Sequence, residues 1–275
     1  MPSVLPPSPN RPLRGKKILV TRTKAQSEAI TTQLESLGAT VVHCPTIEIV
    51  PPSSWEDLDA AIARLEDYDW VVFTSSNAVR YFFDRLKESR GRNAAIGLGS
   101  QRICAIGPVT ASAIAEAGAT VHVTPLESVG EGALQAIVNA SGGDQNLRGR
   151  RILIPRARAA REFLPIALRT LGAHVDAVET YQTVKPDVDR EDLVRLITES
   201  AIDAVTFTSS STVTNFADLL GLTDLSKLLY GVVVACIGPL TADTAVTYGI
   251  TGIVQPAKYN TSALVEALVD AIGSE

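Results

Sequence analysis

The sequence contains few residues of the kinds that form disulfides or bind metals. Among its 275 residues there are three cysteines and three histidines. Cys44, Cys104 and Cys236 lie far apart and form no CxxC pair, which is typical of a protein of the reducing cytoplasm. We therefore expect each cysteine to pack as a small apolar residue near the end of a strand. The histidines are equally scattered, so the spacing predicts no metal site.

Long apolar runs and excess positive charge are also absent. No run approaches the roughly 18 residues that a membrane-spanning helix needs. The formal net charge of −5 argues against nucleic acid as the main partner, because phosphate binding requires clustered basic residues. Residues 1–12 contain five prolines and no apolar signal core, so we predict a disordered leader over residues 1–14. The expected location is the cytoplasm, or the plastid stroma in a eukaryote, although no transit peptide is evident.

The common nucleotide-binding and hydrolase motifs are missing too. No GxGxxG opens a predicted helix and no GxxxxGK[ST] occurs, so neither a dinucleotide site nor a P-loop is indicated. No GxSxG elbow is present, and Ser75 and Ser209 have no evident histidine partner. These absences leave a protein without a recognisable nucleotide, metal or serine-hydrolase site.

The chain does contain a long internal repeat. GKKILVTRTKA, which begins at Gly15, returns as GRRILIPRARA from Gly149, a shift of 149 − 15 = 134 residues. DWVVFTSS at residues 69–76 returns as DAVTFTSS at 203–210, and IGPVT at 106–110 returns as IGPLT at 237–241. A period of this length is that of a domain and not of a solenoid unit. The repeat therefore predicts two similar lobes with a cleft between them, which is a favoured place for a ligand.

Each copy alternates short β-branched runs with segments of helical period, and the runs are apolar on both faces, as in buried parallel strands. The predicted strands are residues 18–21, 40–43, 70–74, 103–106 and 121–123, then 152–155, 174–178, 204–208, 232–237 and 252–254. Predicted helices include 26–37, 77–87, 109–117, 161–171, 212–219 and 241–248, four of which end at Gly38, Gly118, Gly172 or Gly249. This alternation predicts doubly wound α/β lobes with five strands in each.

Two stretches at matching positions depart from this alternation. Residues 45–52 and 179–186 alternate polar and apolar residues and end in proline, which is typical of strands that are exposed on one face. We interpret them as a pair of connectors. If they pair, the chain leaves lobe 1 after its first β-α-β unit, builds lobe 2, and then returns to complete lobe 1. The repeat is equally consistent with two contiguous lobes.

Matched polar loops follow the predicted strands of both copies. Serine and asparagine there can cap the next helix, glycine lets a ligand approach the backbone, and free first-turn amides can bind an anion. Ligands of open α/β sheets bind at the carboxyl ends of strands. The candidate binding residues in these loops are Thr74, Ser75, Ser76, Asn77, Gly107 and Thr110 in the first copy, and Thr208, Ser209, Ser210, Ser211, Gly238 and Thr241 in the second. Each loop taken alone is more often an ordinary helix N-cap, whereas the matched set favours a ligand cleft.

A third matched pair of loops is basic. Arg22 and Lys24 follow the first strand, and Arg156, Arg158 and Arg161 follow its repeat. On an acidic protein, basic residues at strand ends indicate recognition of carboxylate or phosphate, and the alternative is a set of solvated first-turn residues. The residues by themselves therefore predict a two-lobed protein that binds an anionic small molecule without metal or nucleotide.

The ordered motifs resemble a known family. LVTR, a helix ending in LGA, FTSSNAV, IGPVTA, ILIPRA, ETYQT, FTSSSTV and IGPLTA are together similar to uroporphyrinogen-III synthases, from about Gly15 to about Leu268. The resemblance implies an α/β fold of two flavodoxin-like doubly wound parallel-sheet lobes, joined by a two-stranded β-ladder in an interleaved topology. Lobe 1 would be residues 15–44 and 187–275, lobe 2 residues 53–178, and the connector strands 45–52 and 179–186.

The resemblance also implies an activity, namely cyclisation of linear hydroxymethylbilane to uroporphyrinogen III with inversion of ring D and loss of water. The enzyme would be a lyase of tetrapyrrole biosynthesis that uses no metal or organic cofactor. Its partner would be the polycarboxylate substrate, delivered by the deaminase that makes it, with neither nucleic acid nor membrane involved. We expect a monomer.

Two residues match family positions near the substrate. Tyr181 matches a tyrosine proposed to assist departure of the hydroxyl group, and its counterpart in the first copy is Ile47. A tyrosine is protonated at neutral pH and can donate a hydrogen bond, and the alternative is an aromatic residue that simply packs in the ladder. Thr241 matches a threonine at the cleft edge, with an ordinary position in the first turn of a helix as the equal alternative.

Two other classes of protein remain as alternatives. A non-enzymatic two-lobed small-anion-binding protein would fit the matched loops, but the arginines and the connector tyrosine fit a synthase better. A two-lobed glycosyltransferase would be larger than 275 residues and would show a diphosphate-binding glycine turn.

Overall fold

The computed structural model describes residues 11–91, 98–199 and 201–272, and the described strands and helices alternate along most of the chain. They are β1 (Lys17–Val20), α1 (Lys24–Ser36), β2 (Thr40–His43), β3 (Glu48–Val50), α2 (Glu56–Ala63), β4 (Trp70–Phe73), α3 (Ser76–Arg90), β5 (Arg102–Ala105), α4 (Pro108–Glu116), α5 (Gly130–Ser141), β6 (Arg151–Ala157), α6 (Phe163–Thr170), β7 (His174–Val184), α7 (Arg190–Glu199), β8 (Ala204–Phe207), α8 (Ser210–Leu220), β9 (Val233–Cys236), α9 (Pro239–Thr247) and α10 (Thr261–Ile272). The contacts divide the chain into two compact units, one of residues 1–48 and 185–275 and the other of residues 49–184.

The first unit contains a parallel sheet in the order β2-β1-β8-β9. Successive residues of β1 point to opposite faces, as the pleat requires. Leu19 packs in the cluster that contains Phe207 and Phe216, whereas Ile18 packs in the cluster that contains Leu34 of α1 and Leu268 of α10. Because both faces are covered, the strand is apolar throughout, as the sequence predicts for a buried parallel sheet.

The second unit contains a sheet in the order β3-β7-β6-β4-β5, in which β7, β6, β4 and β5 are parallel. Its strand β4 alternates in the same way. Val71 and Phe73 pack with Phe82 of α3, whereas Trp70 and Val72 pack in the cluster that contains Ile137 of α5. Each unit is thus an α/β structure with helices on both faces of its sheet.

Two predicted strands are wrong. Residues 121–123 contribute only an isolated bridge between Val123 and Cys104, and residues 252–254 contribute only a bridge between Val254 and Ala235. Both segments lie beside the last strand of a sheet, and each pairs with it at a single bridge. The described part of the first sheet therefore has four strands, and the fifth strand of the second sheet is β3.

The predicted connectors also need correction. The strand within residues 45–52 is only Glu48–Val50, and residues 179–184 are not a separate strand but the second half of the eleven-residue β7. A bulge between Arg156 and Ala157 shifts the pairing register of β6 and β7, so that Ala157 pairs with Tyr181. The bulge lets β7 continue past the point at which the sequence pattern changes. Both segments belong to the second sheet, in which β3 and β7 are neighbouring strands.

The end of the predicted leader is ordered. Residues 11–14 form a turn, the side chain of Leu13 is fully buried in the cluster beside Leu34, and its backbone N–H donates to the carbonyl of Leu37. The prediction of disorder over residues 1–14 is therefore wrong for residues 11–14, because the proline-rich composition hides one core leucine. Residues 1–10 lie outside the described part of the chain.

The predicted helices are present with ends shifted by up to three residues, and the four terminating glycines all have positive φ, as predicted. The additional helices α2, α5, α7 and α10 lie outside the helical segments named from the sequence. No helix in the described residues is both long and apolar enough to cross a membrane.

Candidate active site

Three of the predicted loops of the second unit lie at one edge of its sheet. Strands β6, β4 and β5 are neighbours and run parallel, so their carboxyl ends point the same way. Arg156 is the penultimate residue of β6 and so lies within the strand, not after it as predicted. Residues 158–161 follow β6, residues 74–77 follow β4, and residues 107–110 follow β5. The topology thereby brings together, within this unit, loops that are far apart in the sequence, as expected for a ligand site at the carboxyl edge of a sheet.

Tyr181 lies on β7 beside this edge. Its side chain is 8% exposed, its ring stacks on Tyr81 with a centroid distance of 6.0 Å, and its hydroxyl is 3.1 Å from the Oγ of Ser75. The ring therefore belongs to the apolar core, whereas the hydroxyl ends at the loop after β4. The side chain is thus a packed aromatic, as one of the two interpretations from the sequence has it, with a polar end near Ser75. The role as a proton donor stays a prediction.

Ser75 is the N-cap of α3. Its Oγ accepts a hydrogen bond from the backbone N–H of Ala78 at 3.2 Å. Such a cap satisfies one donor of the first helical turn and leaves other first-turn amides available to an anion. Thr74, Ser76 and Asn77 are half-buried around it. This loop can donate hydrogen bonds from both backbone and side chains.

The glycine-proline loop after β5 is more tightly packed. Gly107 has φ +87°, and a Cβ at this position would be 3.1 Å from the Oγ of Ser128. Only glycine adopts this backbone conformation at little cost. Thr110, in the first turn of α4, is 4% exposed, which favours a packing role for its side chain. Gly107 thus contributes backbone and Thr110 contributes packing.

The arginines at the end of β6 and in the loop after it lie in different environments. Arg156 is 7% exposed and donates to the carboxylate of Glu162 and to the carbonyl of Ala160. Hydrogen bonding to Arg156 holds the pKa of Glu162 below its usual value. Arg158 is exposed, with its Nη1 3.5 Å from the Oε1 of Gln182. The charge of Arg156 is therefore already paired, whereas Arg158 extends into solvent.

A cavity of about 400 Å³ opens beside these loops in the second unit. Thr74, Ile106 and Arg161 line it, together with the N-terminus of α5 at Gly130 and the partly exposed ring of Phe163. Its lining combines apolar surface with one cation, one carboxylate (Glu131) and a helix N-terminus, which is a combination suited to a polar organic molecule.

The first unit has an equivalent edge, formed by β1, β8 and β9. Arg22 follows β1 and is half-buried, and desolvation lowers the pKa of its guanidinium. Within residues 11–91, 98–199 and 201–272, no carboxylate pairs with it. A half-buried cation that lacks a counter-ion is disposed to bind an anionic ligand. Lys24 is exposed at the first position of α1.

The serine loop of the first unit caps α8. Ser209 and Thr212 form a capping box, and the Oγ of Ser211 is 2.9 Å from that of Ser209. Ser210 donates to the carbonyl of Leu240, so this loop is joined to the start of α9, and Thr208 is half-buried before it. The prediction that these loops cap helices is confirmed at Ser75 and Ser209.

The loop after β9 places Gly238 and Thr241 at the start of α9. Gly238 is extended, with φ −173°, and a Cβ there would be 3.3 Å from the ring of Tyr259. Thr241 is 4% exposed, which favours the alternative of an ordinary residue in the first turn of a helix.

Sequence reasoning missed several residues at these edges. Tyr81 lies inside a predicted helix, and no pattern in the sequence pairs it with Tyr181. Glu162 is adjacent to the named Arg161, but only the turn after β6 brings its carboxylate to Arg156. Tyr259 lies in an irregular segment and is 69% exposed beside Gly238.

The cysteines and histidines contribute no site in the described residues. Cys44, Cys104 and Cys236 are buried and unpaired, as predicted, and burial raises the pKa of each thiol to about 12. Such thiols are poor nucleophiles at neutral pH. Across the described ranges, no group of three or more His, Cys, Asp or Glu side chains is placed to hold a metal ion.

The fold and these loops define a class of protein, namely an α/β protein with hydroxyl, amide and arginine groups at the ends of its parallel strands. The family model described as uroporphyrinogen-III synthase HemD matches residues 28–266, which is most of the chain. The chain belongs to the uroporphyrinogen-III synthase family.

Individual relatives agree with this assignment. A uroporphyrinogen-III synthase of Synechococcus elongatus is 35% identical over 238 residues, which cover 85% of this chain and 87% of the relative. The structure of a uroporphyrinogen-III synthetase of Helicobacter pylori matches 93% of this chain and 99% of its own with a TM-score of 0.59 at 15% identity. A mutant uroporphyrinogen III synthase of Thermus thermophilus matches 95% of this chain and 100% of its own with a TM-score of 0.57 at 19% identity. The two structures show likeness of fold.

Proposed function

We propose that this chain cyclises hydroxymethylbilane to uroporphyrinogen III, with inversion of ring D and loss of water. The observation that carries the proposal is the family match over residues 28–266. The loops agree with it in chemistry, because hydroxyl groups, first-turn amides and arginines suit a substrate with many carboxylates. The family match disfavours the alternative of a non-enzymatic anion-binding protein.

The proposed reaction requires few conventional catalytic groups. Loss of hydroxide from the hydroxymethyl group of ring A is driven by the electron-rich pyrrole and leaves an azafulvene-type cation. Ring D attacks this cation through its substituted carbon to give a spiro intermediate, which fragments and recloses in inverted orientation. The protein mainly has to hold the flexible chain so that ring D presents that carbon, which is an effect of orientation.

Within the proposed mechanism, Tyr181 assists departure of the hydroxyl group by donating a hydrogen bond. Its phenol hydroxyl can donate a hydrogen bond and ends beside Ser75, at the polar edge of the second sheet. Arg22, Arg158 and the capped serine loops would bind substrate carboxylates. Arg156 would hold the loop after β6 through its pair with Glu162.

We further propose that the two units are flavodoxin-like lobes in an interleaved topology. The parallel sheets and the composition of the first unit from two stretches of chain support this proposal. Pairing of β3 with the second half of β7 would be the ladder that the family resemblance implies. We also propose a cytoplasmic monomer that receives its substrate from the deaminase.

One assay tests the activity. The purified protein is given hydroxymethylbilane freshly made by the deaminase, and the ratio of type III to type I uroporphyrinogen is measured after oxidation to the porphyrins. We expect type III to predominate. Production of type I alone, as in the spontaneous reaction, would contradict the proposed function.

A further inference from the structure

The hydroxyls of Ser75 and Tyr181 form a hydrogen bond and carry only two protons between them. The two oxygens are 3.1 Å apart, and each hydroxyl carries one proton. One proton lies between the oxygens, and the other remains available to a third group. Whichever hydroxyl donates, the pair can therefore present a single O–H donor to a substrate oxygen.

Either hydroxyl could be the donor, and the cap on α3 favours that of Ser75. The Oγ of Ser75 accepts from the backbone N–H of Ala78, and an oxygen that accepts one hydrogen bond becomes a better donor of the next. The favoured chain runs from the N–H of Ala78 to Oγ of Ser75, and from the hydroxyl of Ser75 to Oη of Tyr181. In this arrangement the proton of Tyr181 is the one that remains available.

The same helix also holds the ring of Tyr181. Tyr81, on α3, stacks on that ring at an interplanar angle of 14°, and its own hydroxyl donates to the carbonyl of Ile49 at 3.0 Å. Helix α3 thus fixes the plane of the phenol through Tyr81 and the hydroxyl through Ser75. Two independent contacts from one rigid element define where the phenolic proton points.

The matched serine of the other unit is used differently. Ser209 caps α8 in the same way, but its Oγ lies 2.9 Å from the Oγ of Ser211. The repeat places Ile47 where the second copy has Tyr181, so the first copy supplies no phenol for such a bond. Ser75 therefore combines a cap with a contact that the repeat does not require.

We propose that Ser75 is a positioning residue, which directs the proton of Tyr181 toward the departing hydroxyl group and stabilises the phenolate that remains. This inference rests on the proposed function, and it adds a role for Ser75 to the role proposed for Tyr181. The N-terminus of α3 contributes through Ser75, because its partial positive charge favours negative charge on the phenol oxygen.

The step balances. The C–O bond of the hydroxymethyl group breaks and its electron pair leaves with the oxygen, which takes the proton of Tyr181 and departs as water. Tyr181 is left as a phenolate that accepts the hydrogen bond of Ser75. When the inverted ring recloses through its unsubstituted α-carbon and regains aromaticity, the proton that this carbon releases returns to Tyr181.

Three substitutions separate positioning from capping. Ser75→Ala removes the hydroxyl and destabilises the start of the helix. Ser75→Gly also removes the hydroxyl but destabilises the helix much less, because glycine is a better N-cap residue than alanine. Ser75→Thr keeps both the hydroxyl and the cap. We expect Ser75→Ala and Ser75→Gly to lower kcat about tenfold with KM changed less than about twofold, and Ser75→Thr to restore kcat. If kcat instead follows thermal stability, with Ser75→Gly close to wild type, Ser75 is only a cap and the inference is wrong.

The double variant Ser75→Gly with Tyr181→Phe measures the coupling between the two side chains. We expect Ser75→Gly to have no further effect on kcat once the phenol is gone, whereas independent effects would contradict the inference. If Tyr181→Phe keeps full activity, the role of Tyr181 fails and the positioning role fails with it, while type III product still supports the proposed function.

A spectroscopic readout tests the contact even if the wild-type protein yields only type I product. The vibrational bands of the Tyr181 phenol are obtained as the difference between the spectra of the parent protein and of Tyr181→Phe. Loss of the Ser75 hydrogen bond should shift the C–O stretching band of the phenol in Ser75→Gly, and Ser75→Thr should keep the parent frequency. An unchanged band in Ser75→Gly would overturn the inference regardless of activity.

Discussion

Arg156 and Glu162 form an ion pair across the loop that follows β6. Arg156 is 7% exposed, and it also donates to the carbonyl of Ala160 within that loop. Arg22 holds the equivalent position of the repeat, since 156 − 134 = 22, and is half-buried without a carboxylate partner in the described ranges. Two arginines that the sequence makes equivalent therefore differ, because one is held in an ion pair across a loop and the other has no carboxylate partner in the described ranges.

The first prediction concerns Arg22. Arg22→Ala should raise KM for hydroxymethylbilane by about 10- to 100-fold, the range expected for a lost hydrogen bond to a charged group. Thermal stability should be unchanged or higher, because a half-buried charge without a counter-ion is removed. Arg22→Lys should be intermediate, since lysine lacks the planar fork of arginine. Steady-state kinetics and thermal melts measure both effects.

The matched control is Arg195→Ala, on the exposed surface of α7, where the arginine pairs with Asp192. This variant should keep the KM of the parent protein. If Arg22→Ala lowers stability and leaves KM unchanged, the side chain is structural.

The second prediction concerns pH. Arg156 lowers the pKa of Glu162 in the folded protein, so the pair stabilises the protein at pH values above the ordinary glutamate pKa of about 4.3. That stabilisation is lost as the pH falls through the lowered folded pKa. Glu162→Gln should lower the melting temperature at pH 7 and should flatten its decline between roughly pH 5 and pH 3.

Thermal melts from pH 7 to pH 3 measure this difference. Glu266→Gln, at an exposed position of α10, serves as the control and should keep the decline of the parent protein. Identical declines in Glu162→Gln and the parent protein would show that the pair makes no contribution in solution.

The third prediction concerns Tyr181. Tyr181→Phe should lower kcat by about 10²- to 10⁴-fold, the usual contribution of a positioned proton donor. The ring remains stacked on Tyr81, so the free energy of unfolding should fall by only about 1 kcal/mol, for the lost hydrogen bond. Tyr230→Phe, whose side chain is 90% exposed, should behave as the parent protein. Full kcat in Tyr181→Phe would remove the phenol from the mechanism.

The fourth prediction compares the glycines of the two repeated loops. Gly107→Ala should lower the free energy of unfolding by about 1–3 kcal/mol, because φ is +87° and the new methyl group meets Ser128. Gly238→Ala should cost less than about 1 kcal/mol, because an extended backbone accepts alanine and the exposed ring of Tyr259 can move. Urea unfolding measures both, and equal losses would contradict the difference.

The fifth prediction concerns the turn before β1. Leu13 is fully buried, so Leu13→Ala should lower the free energy of unfolding by about 2–5 kcal/mol. Leu126→Ala removes a fully exposed leucine and should change it by no more than about 0.5 kcal/mol. Urea unfolding of the two variants compares them, and a negligible effect of Leu13→Ala would show that the turn is dispensable.

Much of the fold could be predicted because its signals are local. Strands buried on both faces are apolar at every position, as in WVVF of β4, and helices end at glycines such as Gly38. The strands predicted at residues 121–123 and 252–254 are only single bridges, because an apolar run does not reveal whether it pairs with its neighbour along its whole length. Leu13 was missed, because local composition does not report burial against distant helices.

The sequence by itself determined the repeat, the alternation of strands and helices, the capping serines and the ordered motifs of the family, since all of these depend on residues close together in the chain or on their order. Tertiary structure alone decided the roles of individual side chains. It paired Arg156 with Glu162 and left Arg22 without such a partner in the part of the chain that the structure describes, although the repeat makes the two arginines equivalent. It also joined Tyr181 to Ser75, 106 residues away, because the order of strands in a sheet brings together loops that no spacing in the sequence connects.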